Sequence, residues 1–399
     1  MLHRICKLPE SLSFLLFGAR QTGKTSFINQ MIPPSAFRID LLKTSSFLEY
    51  SQNSTLLQAR VKAWIEGLPS TEKPVLFIDE IQKVPSLLDE IHSLIEQYKT
   101  KNLQVILTGS SARKLKRTGV NLGGGRLASY SLYPFTYKEL GDLFNLDEVL
   151  RYGSLAGLFF TTDSAAPSVL RHNVQEQCDI LNGYVELYLK EEIKEEGLTR
   201  NIGSFARFLQ LAGSTNGDLL NYSNIAREAQ VQRTTVQTFY EILEDTLLGF
   251  KLEPYELSER KKMVAHAKFY LFDLGIVNAL GNLLSAQFTP QYRGRLFESL
   301  LILEAFRLRG YKRSEAHLFF WRTKDGNEVD LLIEKHGTVL AAFEFKSGKA
   351  PLTKGLISFR REFPNVPLYV VAEIDSPEDH QGIKIIPWKQ YLTIVGEIL

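Results

Sequence analysis

Short apolar runs alternate with stretches of helical period over the first third of the chain. Phe14 to Phe17, Phe37 to Leu41, Pro74 to Ile78 and Gln104 to Thr108 are of strand length. A short apolar run bounded by turn residues marks a strand buried on both faces, as in a parallel sheet. Between them, Leu48 to Ile65 and Leu87 to Tyr98 place apolar residues three and four apart, the period of a helix with one buried face. The alternation predicts an α/β domain over residues 1–145.

The middle of the chain is helical in period. Leu150 to Phe160 is punctuated by Gly153 and Gly157, and Val174 to Glu195 predicts a long helix whose charge run, Lys190 to Glu196, is a solvated face. We read 146–200 as a helical linker or lid. Phe205 to Ala212 is a further helix, and Tyr222 to Leu243 reads as helix-turn-helix. Ser223 or Asn224 caps the first helix, and Ile225, Ala226 and Ala229 face inward. Val231 marks the turn, and Val236, Phe239, Tyr240 and Leu243 form the second helix's buried stripe. Gln232, Arg233, Thr234, Thr235 and Gln237 face outward and are the types that reach base edges and phosphates. Phe250 to Tyr255 and Lys268 to Phe272 predict a hairpin wing with a basic tip at Glu259 to Lys262, closing a winged-helix domain over 201–280. A lid or protein-docking module carries the same pattern.

A second α/β region spans 285–399. Arg295 to Phe306 is a helix with Glu298 near its start. Ala316 to Trp321, Glu328 to Glu334 and Thr338 to Lys346 are strands, the first two joined by a turn at Asp325-Gly-Asn. Residues two apart on a strand share a face. Glu344 and Lys346 therefore point into one pocket, Phe343 and Phe345 into the core, and Asp330 reaches the pocket from the neighbouring strand. Asp330 and Glu344 suit a Mg²⁺ site, with Glu298 adding a contact and Lys346 stabilising developing charge or orienting water. The order Glu, Asp, Glu-x-Lys resembles the restriction-endonuclease-like fold and implies cleavage of DNA. A charged sheet surface, or a fold kept for binding alone, has the same residues.

The strongest local chemistry lies after the first strand. Gly18, Ala19, Arg20, Gln21, Thr22, Gly23, Lys24, Thr25 and Ser26 contain G-x-x-x-x-G-K-[ST] between a strand and a helix. Glycines let backbone N–H groups close around phosphates at a helix N-terminus. Lys24 is assigned to the β- and γ-phosphates of ATP and Thr25 to Mg²⁺. The third run ends in Asp79 and Glu80, carried to the C-terminal end of a parallel strand, where ligands bind. Asp79 would hold Mg²⁺ through its water shell, and Glu80 would take the proton of the attacking water. Thr108 or Ser110 is placed to touch the γ-phosphate or that water, unless the threonine only caps a turn. Arg113, Lys114, Lys116, Arg117 and Arg126 follow. Arg113 or Arg126 can serve as an arginine finger in a neighbouring subunit's site, or the segment is a solvated basic loop.

Composition narrows this. The 399 residues imply two or three domains, and the net charge of +2 offers no global attraction to nucleic acid. Two cysteines, Cys6 and Cys178, make neither a disulfide framework nor a zinc site, which points to a cytoplasmic protein. No stretch is apolar enough to span a bilayer.

The chain resembles the prokaryotic AAA-type ATPases that carry a C-terminal domain of unknown function with a nuclease-like fold. The matching stretches are Gly18 to Thr25, Leu76 to Gln82, Leu107 to Ser111, Gly125-Arg126 with Leu132 to Phe135, Pro254-Tyr255, Lys268 to Gly275 and Glu328 to Asp330. The resemblance implies a P-loop ATPase sheet, a sensor strand ending at Thr108 and Ser110, and a homo-oligomer whose sites are completed by a neighbour. DNA is the implied partner. A nucleotide-switched regulatory ATPase whose other domains bind without cutting is the alternative.

Overall fold

The computed structural model describes residues 2–110, 127–162, 168–188, 202–255, 266–348, 354–380 and 382–399. It divides into two compact units. One comprises His3–Pro134 with Glu241–Leu248, the other Met1–Leu2, Phe135–Tyr240 and Gly249–Leu399. The parts expected as linker and C-terminal domain thus share one unit with most of the expected winged helix, of which Glu241–Leu248 falls in the other. Among the described residues, no helix is long and apolar enough to cross a membrane.

The first unit is built on β1 (Phe14–Phe17), β2 (Phe37–Asp40), β3 (Val75–Asp79), β4 (Gln104–Gly109) and β5 (Ala128–Ser131), ordered β2-β3-β4-β1-β5. Every pairing is parallel, as the apolar runs predict. α1 (Lys24–Met31), α2 (Thr44–Gln52), α3 (Leu56–Gly67) and α4 (Leu87–Gln97) connect them. Leu15, Leu76, Ile78, Val105 and Leu107 pack with Val61, Ile65, Leu88 and Ile91 in one core. The single helix expected over Leu48 to Ile65 is instead two. Asn53 is extended, and its Oδ1 accepts from the Thr55 N–H at 3.1 Å and the Thr55 hydroxyl at 2.6 Å. That local turn replaces the helical bonds.

In the second unit, α5 (Leu146–Tyr152), the two-stranded ribbon β6 (Phe159–Thr161) and β7 (Val169–Arg171), and α6 (Val174–Gly183) precede a π turn at Tyr184–Tyr188. The long helix expected from Val174 is α-helical to Gly183 and passes into the π turn, and its charge run lies outside the described residues. α7 (Ile202–Ser214), α8 (Tyr222–Ala229) and α9 (Arg233–Asp245) supply the helix-turn-helix. Gln230, left-handed at φ 56°, ends α8. Asn221 caps α8 in place of Ser223 or Asn224, its side chain accepting from Asn224 N at 3.0 Å. The cap therefore lies two or three residues earlier than the apolar pattern places it.

β8 (Gly249–Pro254) and β9 (Lys268–Leu271) form the expected hairpin, whose tip lies outside the described residues. After α10 (Leu274–Leu280) and α11 (Pro290–Lys312) come β10 (His317–Arg322), β11 (Glu328–Lys335), β12 (Thr338–Lys346), α12 (Lys354–Glu362), β13 (Leu368–Ala372), β14 (Glu378–His380), β15 (Ile383–Pro387) and α13 (Trp388–Ile398). All these strands, hairpin included, form one sheet ordered β14-β15-β13-β12-β11-β10-β8-β9. β10, β11 and β12 are antiparallel neighbours, and β13 returns parallel to β12 after α12. Phe343 and Phe345 lie against Tyr391 of α13, with ring centroids 4.9 and 5.2 Å away. Glu344 and Lys346 are thereby left on the opposite face.

Candidate functional site

At the end of β1 the chain turns through Gly18 into a loop that closes on α1. Gly23, at φ 87°, makes the left-handed turn that starts the helix. A Cβ on Gly18 would lie 2.5 Å from the Leu132 carbonyl oxygen, so only glycine fits. The Ala19 carbonyl accepts from the Thr22 hydroxyl at 2.8 Å and from Lys24 Nζ at 3.2 Å. Lys24 Nζ also donates to the Gly18 carbonyl at 2.8 Å, which folds its ammonium back over the loop. Gln21 has φ 59°, and its buried Oε1 has no hydrogen-bond partner among the described residues. Arg20 is half-buried, while Thr25 and Ser26 are exposed on the first turn of α1.

The carboxylates come from β3. Thr25 Oγ1 donates to Asp79 Oδ2 at 2.7 Å. The Thr108 hydroxyl donates to Asp79 Oδ1 and accepts from the Glu80 N–H at 3.2 Å, so it is engaged in holding β3. Burial pushes the Asp79 carboxyl above its ordinary range, against the pull of the Thr108 and Thr25 hydrogen bonds. Glu80 is buried and left-handed at φ 59°, a strained conformation for a residue with a side chain. Its Oε1 lies 4.0 Å from Lys24 Nζ, and its Oε2 accepts from Gln82 Nε2. Gln82 Nε2 also donates to Ser110 Oγ at 2.9 Å. The Thr25 hydroxyl and Asp79 carboxylate are hard oxygen donors, a pair that fits Mg²⁺, which completes its shell with substrate phosphates and water.

Two residues here escaped the sequence reading. Gln82 was passed over as part of a strand-end match. Arg4 is the other: its buried guanidinium donates to the Tyr133 carbonyl at 3.1 Å and to the Thr22 carbonyl. Nothing local in the sequence marks either. Arg113 and Arg126 lie outside the described residues.

A second cluster sits on the eight-stranded sheet. Asp330 and Glu344 are buried, and Lys346 Nζ lies 2.7 Å from Glu344 Oε1. Asp330 Oδ2 accepts from Phe345 N at 2.7 Å, while Glu344 Oε2 is buried without a hydrogen-bond partner among the described residues. Burial raises the Asp330 carboxyl well above its ordinary value, with Glu298 and Glu344 adding to the rise. Burial also raises Glu344, with Lys346 opposing. Glu298 is drawn elsewhere. Its Oε1 accepts from Lys268 Nζ and from the Tyr270 hydroxyl, each at 3.1 Å, and Lys268 also meets Glu328 at 2.5 Å. Lys268, from the hairpin, was not foreseen as part of this site. Glu298, Glu328 and Lys268 line a pocket of about 220 Å³ with Arg295 and Arg322. Among the described residues, no three Asp, Glu, His or Cys side chains are gathered so as to hold a metal ion by themselves.

The pattern of an AAA domain matches residues 11–141. Two domains of unknown function, DUF8612 and DUF4143, match 166–287 and 293–391. An uncharacterized protein of Haemophilus influenzae is 23% identical over 337 residues, spanning 81% of this chain and 79% of its own length. The uncharacterized protein MJ1637 of Methanocaldococcus jannaschii is 24% identical over 418 residues, spanning 96% of this chain and 84% of its own. Among solved structures, the Aeropyrum pernix ORC1 protein in complex with DNA is 13% identical and overlaps 69% of this chain and 87% of that one, with a TM-score of 0.30. Residues 11–141 are an AAA-type domain bearing the phosphate loop of a nucleotide-binding protein.

Proposed function

We propose that the chain is an ATPase that binds MgATP in the loop from Gly18 to Thr25 and hydrolyses it with Glu80 as the general base. The arrangement that supports this is the line Thr25–Asp79–Thr108, with Lys24 folded over the loop and Glu80 beside it. Backbone N–H groups of the loop and Lys24 take the phosphates. Thr25 and Asp79 hold Mg²⁺, directly or through water, and the ion when bound neutralises charge between the β- and γ-phosphates. Water attacks the γ-phosphorus, the bond to the β–γ bridging oxygen breaks, ADP leaves, and the water's proton passes to Glu80. The test is phosphate release and ATP binding. Lys24→Ala should lose binding. Glu80→Gln should bind ATP yet hydrolyse it about 10²- to 10⁴-fold more slowly. Hydrolysis by Glu80→Gln at the wild-type rate would remove Glu80 from this role.

In this reading the ATPase acts on DNA in the cytoplasm as a homo-oligomer. Arg113 or Arg126 completes a neighbour's site, α9 meets the duplex, and the C-terminal pocket is a Mg²⁺-dependent nuclease-like site of Asp330, Glu344 and Lys346. The helix, three antiparallel strands, helix and parallel strand around that pocket are consistent with the nuclease-like expectation. Glu344 Oε2, buried and without a hydrogen-bond partner among the described residues, is an oxygen donor that a divalent cation would take. One observation favours the regulatory alternative: Lys268 already bridges Glu298 and Glu328, so part of the pocket's negative charge is met by the chain itself.

A further inference from the structure

We infer that Gln82 is a positioning residue that holds the Glu80 carboxylate for catalysis, and that Gly109 is glycine so that the Gln82 amide fits. This rests on Glu80 being the base. Glu80 follows β3 in a left-handed conformation, so its backbone does not fix where the carboxylate points. Among the described residues, two groups flank that carboxylate. Lys24 Nζ lies 4.0 Å from Oε1, and Gln82 Nε2 donates to Oε2. The lysine is needed by phosphate, which leaves the amide as the steady partner of the two. Gln82 is itself fixed: it is 3% exposed, and Nε2 also donates to Ser110 Oγ at 2.9 Å at the end of β4. One –NH₂ group thus ties the carboxylate on one strand end to the hydroxyl on the next.

The other end of the amide sets a limit on its neighbour. Gln82 Oε1 is buried with no hydrogen-bond partner among the described residues. A Cβ built on Gly109 would lie 2.9 Å from it, closer than side chains approach. Turning the amide over would not help, because Oε1 would then face the Glu80 carboxylate. A side chain at Gly109 therefore has to displace the amide, the far end of a flexible side chain, from the position in which it meets Glu80. Gly109, Gln82 and Glu80 form a steric chain that runs from the sensor strand to the base, with Ser110 as the polar end of the same chain.

The experiment measures steady-state ATP hydrolysis, ATP affinity and melting temperature for the full chain. Gln82→Met keeps the buried volume and removes the donor. We expect kcat to fall about 10²-fold with KM for ATP and ATP affinity near wild type, because the aim of the base is lost while the phosphate loop is untouched; the lost hydrogen bond to a buried carboxylate also lowers the melting temperature somewhat. Gly109→Ala should show the same kcat defect with Gln82 intact. Combining Gln82→Met with Glu80→Gln should cost nothing beyond Glu80→Gln alone, since residues acting as a unit are not additive. A packing role would move melting temperature in place of kcat. A wild-type protein that releases no phosphate would overturn both the ATPase reading and this one. Active wild type beside Gln82→Met at full rate, or a Gln82→Met loss that persists undiminished on Glu80→Gln, would overturn this one alone.

Discussion

Thr25 and Asp79 are 54 positions apart in the chain, and the Thr25 hydroxyl donates to Asp79 Oδ2 at 2.7 Å. This bond joins the start of α1 to the end of β3. It is made between the two groups that the proposed function assigns to Mg²⁺, so the ion's protein donors are already adjacent. Burial raises the Asp79 carboxyl, while Thr25 and Thr108 hold it down.

The first prediction follows from that burial. A carboxyl whose folded value is raised is tolerated when neutral and costs stability as pH climbs through that value. Near neutral pH, Asp79→Asn should therefore raise the melting temperature of the nucleotide-free protein. It should also abolish the further rise that MgATP gives the wild type by mass action. Calorimetry with and without MgATP reads both effects. A variant still stabilised by MgATP like the wild type would free Asp79 of any role in holding the ion.

The C-terminal pocket gives a second pH-linked expectation. Asp330 and Glu344 are both raised, so raising pH from about 4 ionises them at a cost to stability. A divalent ion binds only the ionised form. Mg²⁺ or Mn²⁺ should thus raise the melting temperature of the full chain more at pH 8 than at pH 5, roughly an expectation of sign. Glu344→Ala should lose that rise and any DNA cleavage. Absence of both in the wild type would leave a binding fold and favour the regulatory alternative.

Lys268 carries a third. Its ammonium is buried against Glu298, Glu328 and the Phe320 ring, the last 5.5 Å from Nζ. Lys268→Met should destabilise by about 3 kcal/mol, the low end for removing one partner of a buried pair. The low end applies because Glu298 and Glu328 keep 23% and 20% of their side-chain exposure. Denaturant unfolding measures it. A change within experimental error would mean that water already neutralises those carboxylates.

For DNA, the exposed Arg233 at the start of α9 is the informative position. If it meets a phosphate, Arg233→Ala should weaken duplex binding across all sequences and reduce the magnitude of the salt slope by about 1. Titrations of the full chain at several salt concentrations measure this. An unchanged slope would assign α9 to docking or to a lid.

The phosphate loop was legible because its demands are local: a left-handed glycine, a glycine with no room for Cβ, and a lysine one residue into a helix. The face sharing of Glu344 and Lys346 followed from strand period alone. What the chain hid was register. The Thr108–Asp79 bond needs β4 beside β3 with Leu107 opposite Ile78, and no spacing states that. Lys268 was hidden because its strand joins the C-terminal sheet through β8, sixty-odd residues before the strand β8 pairs with. Asn53 and Asn221 are cases where a side-chain amide, and not the apolar period, sets a helix boundary.

The pairing of β8 with β10 decides where this chain can be cut. Phe319 lies opposite Glu253, Phe320 opposite Pro254, and Tyr255 N donates to the Phe320 carbonyl at 2.7 Å. A fragment beginning at residue 285 would keep β10 and β11 and lose β8, the partner on the other side of β10. That leaves an open strand edge, with Phe319 and Phe320 on it, and an open apolar edge is a template for adhesion to another copy. Released from the hairpin, the C-terminal third would self-associate through β10, so its solubility, and not only its chemistry, is supplied by residues that precede it.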